Sequence, residues 1–120
     1  MARHYAPRTR LVVYDAPGAR GRSAVVAAAR EALARGERVG ALATDDEAPA
    51  LEAIGARVAR LGPPDDLPMV AQRLYAALRS LDDGQVEVII AHTFGQAGMG
   101  LALWDRLRRA AGGQLQPVDN

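Results

Sequence analysis

Two histidines and two serines are the side chains whose placement decides whether this chain could carry nucleophilic or imidazole chemistry. His4 and His92 lie 88 positions apart, and neither has a second ligand at the helical spacing of a metal site. His92 closes an apolar run, where a ligand would be approached. A strand-terminal histidine satisfied by backbone is the commoner outcome there, and the functional reading is a weak hydrogen-bond contact. Ser23 sits where a helix cap is expected and Ser80 falls inside a helical pattern, so a Ser-His-Asp nucleophile has no elbow to occupy. The absence of cysteine excludes disulfides, thiolate metal ligands and thiol nucleophiles. All 15 basic residues are arginine, which removes Schiff-base chemistry, a phosphate-loop lysine and the lysine a phosphoreceiver domain requires.

Two glycine-rich loops have the spacing to cradle an anion. Gly18-Ala19-Arg20-Gly21 follows an apolar strand and opens a helix, as a dinucleotide fingerprint would, but the third glycine is missing. Asp45 and Asp46 lie where a ribose-binding acid would fall in such proteins, and a helix cap explains them equally well. Gly95-Gln96-Ala97-Gly98-Met99-Gly100 leads into the last helix and would present backbone N–H groups at its positive end. The plainer reading is that Gly98 and Gly100 let that helix approach the sheet.

The elements that must position these loops follow from hydrophobic periodicity. Arg10–Tyr14 reads as a short buried strand, and Ser23 caps an Ala-rich helix over 24–35 that ends at Gly36. A second strand covers 38–44. A short helix reaches Ile54 behind Asp45-Asp46-Glu47, with Gly55 ending it before a third strand at 57–61. After Gly62-Pro63-Pro64, Asp65 or Asp66 starts the longest helix, through about Leu81, with Met69, Val70, Arg73, Leu74, Ala77, Leu78 and Leu81 on one stripe. A fourth strand spans 86–91. The last helix, 98–111, offers Leu101, Ala102, Trp104 and Leu107 or Arg108 to the sheet.

Strands alternating with helices predict an α/β fold: a small Rossmann-like three-layer sandwich with a mostly parallel sheet of four strands, or five if the tail adds one. Residues 1–8 form a linker or arm, 9–112 the domain, and 113–120 a frayed tail or short edge strand. If the first three strands wind outward and the fourth pairs on the far side of the first, the order is 3-2-1-4. The ligand crevice then lies outside the C-terminal ends of strands one and four. Asp15, Thr44 and the turn bearing Gly95, Gly98 and Gly100 should converge there, with Arg20 and Arg22 at the mouth. Helix-end and exposed-arginine contributions are each about 1 kcal/mol or less, so binding of pyrophosphate or ATP there should be millimolar at best.

Composition agrees with one globular domain. Hydrophobic residues make up 49% of 120 and charged residues 24%, enough for a core without staples. One Phe, one Trp and three Tyr leave that core aliphatic. No run approaches the roughly 18 apolar residues of a membrane span, nor is there a leading signal-like run, so a cytoplasmic protein without membrane contact is expected. Residues 1–22 hold five Arg against one acid, Asp15, a net of +4 that leaves the rest of the chain at −3 within an overall +1. Such a basic arm suits an acidic surface or a nucleotide phosphate, or is a solvated linker. No direct nucleic-acid binding is predicted.

The order of segments carries a resemblance. Ala77-Leu78-Arg79 in a helix, then a strand, Gly98-Met99-Gly100, and a helix with Arg106-Leu107-Arg108-Arg109-Ala110-Ala111 follow His4-Tyr5-Ala6-Pro7 at the front. Over nearly the whole chain, this resembles the C-terminal "Sua-five" domain of the long form of L-threonylcarbamoyladenylate synthase. One departure is Asp105, where relatives often carry Asn before the Arg-Leu pair. Much of the signature is packing, with Leu78 and Leu107 expected to be buried.

The resemblance implies a noncatalytic accessory domain that braces or gates a YrdC-like catalytic domain, in cis or in trans. In two-domain relatives the linker ending in a His-Tyr pair folds back toward the nucleotide site, and Arg3, His4 and Tyr5 match its end. The whole enzyme would join threonine, bicarbonate and ATP into threonylcarbamoyl-AMP for a tRNA modification. ATP belongs to the catalytic domain, and no cofactor is expected for this chain. The rival reading is a free-standing sensor of an anionic nucleotide or metabolite. Whichever holds, an arm without its partner should be loose or pack on a neighbouring molecule.

Overall fold

The computed structural model describes residues 5–118. Four strands, β1 (Arg10–Tyr14), β2 (Val39–Ala43), β3 (Arg57–Arg60) and β4 (Val88–His92), alternate with α1 (Gly18–Ala34), α2 (Ala48–Ala53), α3 (Leu67–Leu81) and α4 (Met99–Ala110). All strand pairs are parallel, and the sheet order is β1-β4-β2-β3. The α/β sandwich expected from the sequence is therefore present. Its strand order is not 3-2-1-4: β4 inserts between β1 and β2. Burial explains why. Every residue of β2 and β4 is buried, so both need partners on two sides, whereas β1 and β3 are part-exposed and carry arginines at their ends. The most apolar strands take the centre, as parallel sheets covered on both faces require.

Side chains alternate across the sheet to build two cores. Val39, Ala41, Ala43, Val88 and Ile90 meet Val25, Ala29 and Ala32 of α1 and Leu51 of α2. Leu42, Ile89 and Ala91 meet Val70, Leu74, Leu78 and Leu81 of α3 and Leu103 and Leu107 of α4. Leu78 and Leu107 are buried, as the signature demanded.

Several boundaries differ from the expected ones. α1 begins at Gly18 behind an extended Pro17, five residues before the expected cap Ser23, which is exposed on the helix. At 17 residues α1, not the 15-residue α3, is the longest helix. Asp66 does cap α3, its Oδ1 accepting from the Met69 amide at 3.2 Å. α4 turns a different face inward: Gly100, Leu103, Leu107 and Ala110 are buried, while Leu101 is 49% exposed and Trp104 part-exposed. Gly100 sets that phase, because a Cβ there would lie 2.5 Å from the Phe94 carbonyl oxygen. The tail forms neither a loose end nor a strand over 113–118. Gln116 alone bridges to Tyr14, with its amide donating to Val13 O at 2.7 Å and its carbonyl accepting from the Asp15 amide at 2.8 Å.

Candidate functional site

The C-terminal ends of the strands open onto a crevice of about 220 Å³, with Pro17, Pro64, Leu67 and Phe94 as apolar walls. Thr44 follows β2, and His92 ends β4 beside it. Because β4 is central, consecutive residues at its end serve opposite sides. His92 turns toward α1 and α2, and Thr93 toward α4.

His92 is buried with both ring nitrogens engaged. Nδ1 lies 2.7 Å from the Thr93 carbonyl oxygen and Nε2 lies 2.6 Å from Glu47 Oε2. A carbonyl oxygen only accepts, so Nδ1 carries a proton; an ionised carboxylate also only accepts, so Nε2 carries one too. With Glu47 ionised, the geometry is that of an imidazolium–carboxylate pair. Burial opposes the charge on His92, but the hydrogen bond and charge of Glu47 outweigh it and raise the ring above its ordinary value. Burial likewise opposes the Glu47 charge, and the bond from His92 with that from Thr44 holds its carboxyl below the usual range. Glu47 Oε1 accepts the Thr44 amide at 3.1 Å. The pair thus ties the β2–α2 turn to the end of β4.

Around this pair the mouth is polar. The Thr44 hydroxyl donates to Asp46 Oδ1 at 2.6 Å, and Arg22 Nη1 reaches Asp46 Oδ2 at 3.4 Å, both side chains being 44% exposed. α1 comes close because Gly21 has no side chain: an added Cβ would stand 2.7 Å from His92 Cγ and 2.0 Å from the Ala16 carbonyl oxygen. On the far side of β4, Asp15 Oδ1 accepts from the Thr93 hydroxyl at 3.0 Å and from Trp104 Nε1 at 3.2 Å. This second cluster faces α4.

Of the seven residues expected to form the crevice, the structure brings Arg22 and Thr44 to it. Asp15 belongs to the cluster with Thr93 and Trp104. Arg20 turns away, its Nη2 donating to the Val118 carbonyl at 2.6 Å. Gly95 and Gly100 lie at the turn into α4, and Gly98 borders a separate groove with Leu101 and Trp104. The Gly100 and Leu101 amides bond the Ala97 and Gly98 carbonyls. Among the described residues no group of three or more His, Cys, Asp or Glu side chains could hold a metal.

Sequence reasoning missed Glu47 as the partner of His92. The signal was present in Thr44-Asp45-Asp46-Glu47, a Thr-x-x-Glu spacing in which the glutamate reaches back to the threonine amide. Arg3 and His4 of the expected linker contact lie outside the described residues. Tyr5 packs on this domain's own α3, against the expectation of an unpacked arm: its hydroxyl donates to Asp82 and its ring meets Tyr75. Asp82 supplies a partner that charge alone did not reveal.

Comparison with known proteins agrees with this architecture. The family model of the threonylcarbamoyl-AMP synthase C-terminal domain matches residues 1–112. A threonylcarbamoyl-AMP synthase of Bacillus subtilis is 38% identical over 112 residues, 93% of this chain and 31% of that protein. One from Pyrococcus abyssi is 30% identical over 117 residues, 97% of this chain and 32% of that protein. The crystal structure of P. abyssi Sua5 complexed with L-threonine superposes with a TM-score of 0.78 at 30% identity, covering 98% of this chain and 32% of that one. A C-terminal Sua5 domain from Pyrococcus horikoshii gives 0.67 at 27% identity, covering 96% of this chain and all of that one. The chain spans about a third of the length of the curated relatives it matches. It belongs to the threonylcarbamoyl-AMP synthase C-terminal domain family.

Proposed function

We propose that this chain is a noncatalytic accessory domain which braces or gates a YrdC-like catalytic half of threonylcarbamoyl-AMP synthase, through the arm at its front. One observation carries the reading. His92 and Glu47 at the crevice form a buried pair in which both ring nitrogens and both carboxylate oxygens already have partners within the protein. A general base must instead reach its substrate proton within hydrogen-bond distance. The crevice is thus cross-linked as a rigid support. The parent reaction, its ATP and its role in tRNA modification belong in this proposal to the catalytic half, in a cytoplasmic setting.

The test supplies threonine, bicarbonate and ATP. The purified chain alone should form no threonylcarbamoyl-AMP and release no pyrophosphate. Adding it to a purified catalytic half should change that half's turnover. Turnover by the chain itself, with contaminants controlled, overturns the noncatalytic reading, and an unchanged catalytic half overturns the bracing role.

A second reading, a small-anion sensor, is favoured by Arg22 at the crevice mouth. The pairing of Arg22 with Asp46 weakens it, since the same guanidinium would have to serve the ligand.

A further inference from the structure

The arm is gripped at a single carboxylate. Asp82 Oδ2 accepts from the Tyr5 hydroxyl at 2.5 Å and the Arg8 amide at 3.1 Å; Oδ1 accepts from the Thr9 amide at 2.9 Å and the Thr9 hydroxyl at 2.7 Å. Asp82 is the C-terminal cap of α3, the end of a helix where negative charge is least favourable. Its capping bonds come from its backbone N–H to the Arg79 and Leu78 carbonyls, so the side chain is left to the front of the chain: two of its four bonds come from Tyr5 and Arg8 of the arm and two from Thr9, where the arm joins the domain. The Tyr5 ring stands edge-on to Tyr75 at 6.4 Å, with the Arg79 guanidinium 5.9 Å from its centroid.

Two features mark this contact as one built to open. The buried Tyr75 hydroxyl has no hydrogen-bond partner among the described residues, a cost that permanent cores avoid. The grip is also local: Ala6 and Arg8 are exposed, and the arm's hold reduces to Tyr5, Thr9 and one amide. Segments held by few buried contacts sit at the low end of a protein's local stabilities.

We propose that Asp82 latches the arm onto this domain, so that Tyr5 is stored against α3 and reaches beyond the domain only when the latch opens. The Tyr5 hydroxyl has one proton, and while that proton is given to Asp82 it cannot be given to a second protein surface. The consequence for a catalytic half rests on the bracing role proposed above; the latch itself rests on geometry.

Trypsin reads the latch directly, because the Arg8–Thr9 bond lies inside it. Cleavage after Arg8, followed by mass spectrometry, should accelerate about tenfold or more in Asp82→Ala, which removes a charged acceptor of four bonds. Tyr5→Phe should accelerate it several-fold. Cutting after Arg30, inside α1, requires that helix to unfold and should not change. If Asp82→Ala speeds both sites equally, Tyr5→Phe decides, since it removes one hydroxyl and leaves α3 intact. Unchanged cutting after Arg8 in Tyr5→Phe overturns the latch. Binding to a purified catalytic half of the Bacillus subtilis relative separates the two ideas. An open latch in Asp82→Ala should bind that half more tightly than the native chain. If cutting accelerates while binding stays the same, the latch stands and the arm's role at the catalytic half falls.

Discussion

Glu47 and His92, 45 positions apart, meet at 2.6 Å beneath the crevice and are the only oppositely charged buried pair among the described residues. Their protonation sets a pH window. The folded His92 value is raised above 6.5, so its contribution is full below that value and is lost as pH rises through the folded one. The folded Glu47 value is lowered below 4.5, so its contribution is present above 4.5 and is lost as pH falls through the folded one. Thermal unfolding followed across pH should place maximal stability between these limits. In His92→Gln the decline on the alkaline side should flatten.

Breaking the pair from one side should cost more than removing it. Glu47→Ala removes the group that holds the charge on His92 against burial, so the ring gives up its proton and Nε2 is left buried without a partner, a loss of about 1 to 3 kcal/mol. The double variant Glu47→Ala/His92→Ala leaves no unpaired charge and should be less destabilised than the two single losses summed. Denaturant titrations of the four proteins measure this. A strictly additive result would show that the two residues do not depend on each other.

Gly21→Ala should be far more damaging than its size suggests. The new methyl group would stand 2.0 Å from a backbone oxygen and 2.7 Å from the His92 ring, and the backbone at Ala16 cannot yield as a flexible side chain would. Overpacking of this kind costs about 1 to 3 kcal/mol or more. Gly36→Ala supplies the contrast, with open space around it and the penalty coming from its φ of +84° alone. Melting curves should therefore separate a variant that shifts α1 from one that strains a turn.

The existence and order of four strands and four helices were legible, and the start of α3 was narrowed to Asp65 or Asp66, because each rests on local pattern. Strand order was not. It depends on the relative apolarity of β4 and β1, and Val88-Ile89-Ile90-Ala91 against Arg10-Leu11-Val12-Val13 does carry the hint that β4 belongs in the centre. The partner of His92 was half legible: the Thr-x-x-Glu spacing marks Glu47 as reaching back to Thr44, but only the sheet order brings it to the end of β4. Arg20 and Arg22 look equivalent in sequence, yet one faces the tail and the other the crevice. Residues two positions apart on a helix point about 200° apart, and the periodicity of α1 alone did not fix where its first turn began.

The inward face of α4 gives a sharp stability contrast. Leu103 is fully buried, while Leu101 is 49% exposed. Leu103→Ala should cost about 2 to 5 kcal/mol and Leu101→Ala less than about 0.5. Comparable losses in chemical denaturation would place the helix in the other phase.

Anion binding at the crevice turns on Asp46, whose carboxylate competes for Arg22. The other expected cation, Arg20, is held by Val118 O, and the α4 amides at Gly100 and Leu101 already have acceptors. Pyrophosphate should therefore move the backbone amide signals of the native chain only weakly, with affinity no better than about millimolar. Asp46→Asn keeps an oxygen for the Thr44 hydroxyl but removes the charge that pairs with Arg22. It should strengthen binding several-fold, with the shifts centred on Arg22 and Thr44 rather than on Gly98 and Gly100. The further change Arg22→Ala should abolish the gain. If the signals still move at Gly98–Gly100, the α4 turn is the anion site, and the first-loop arginine is a surface residue paired with Asp46.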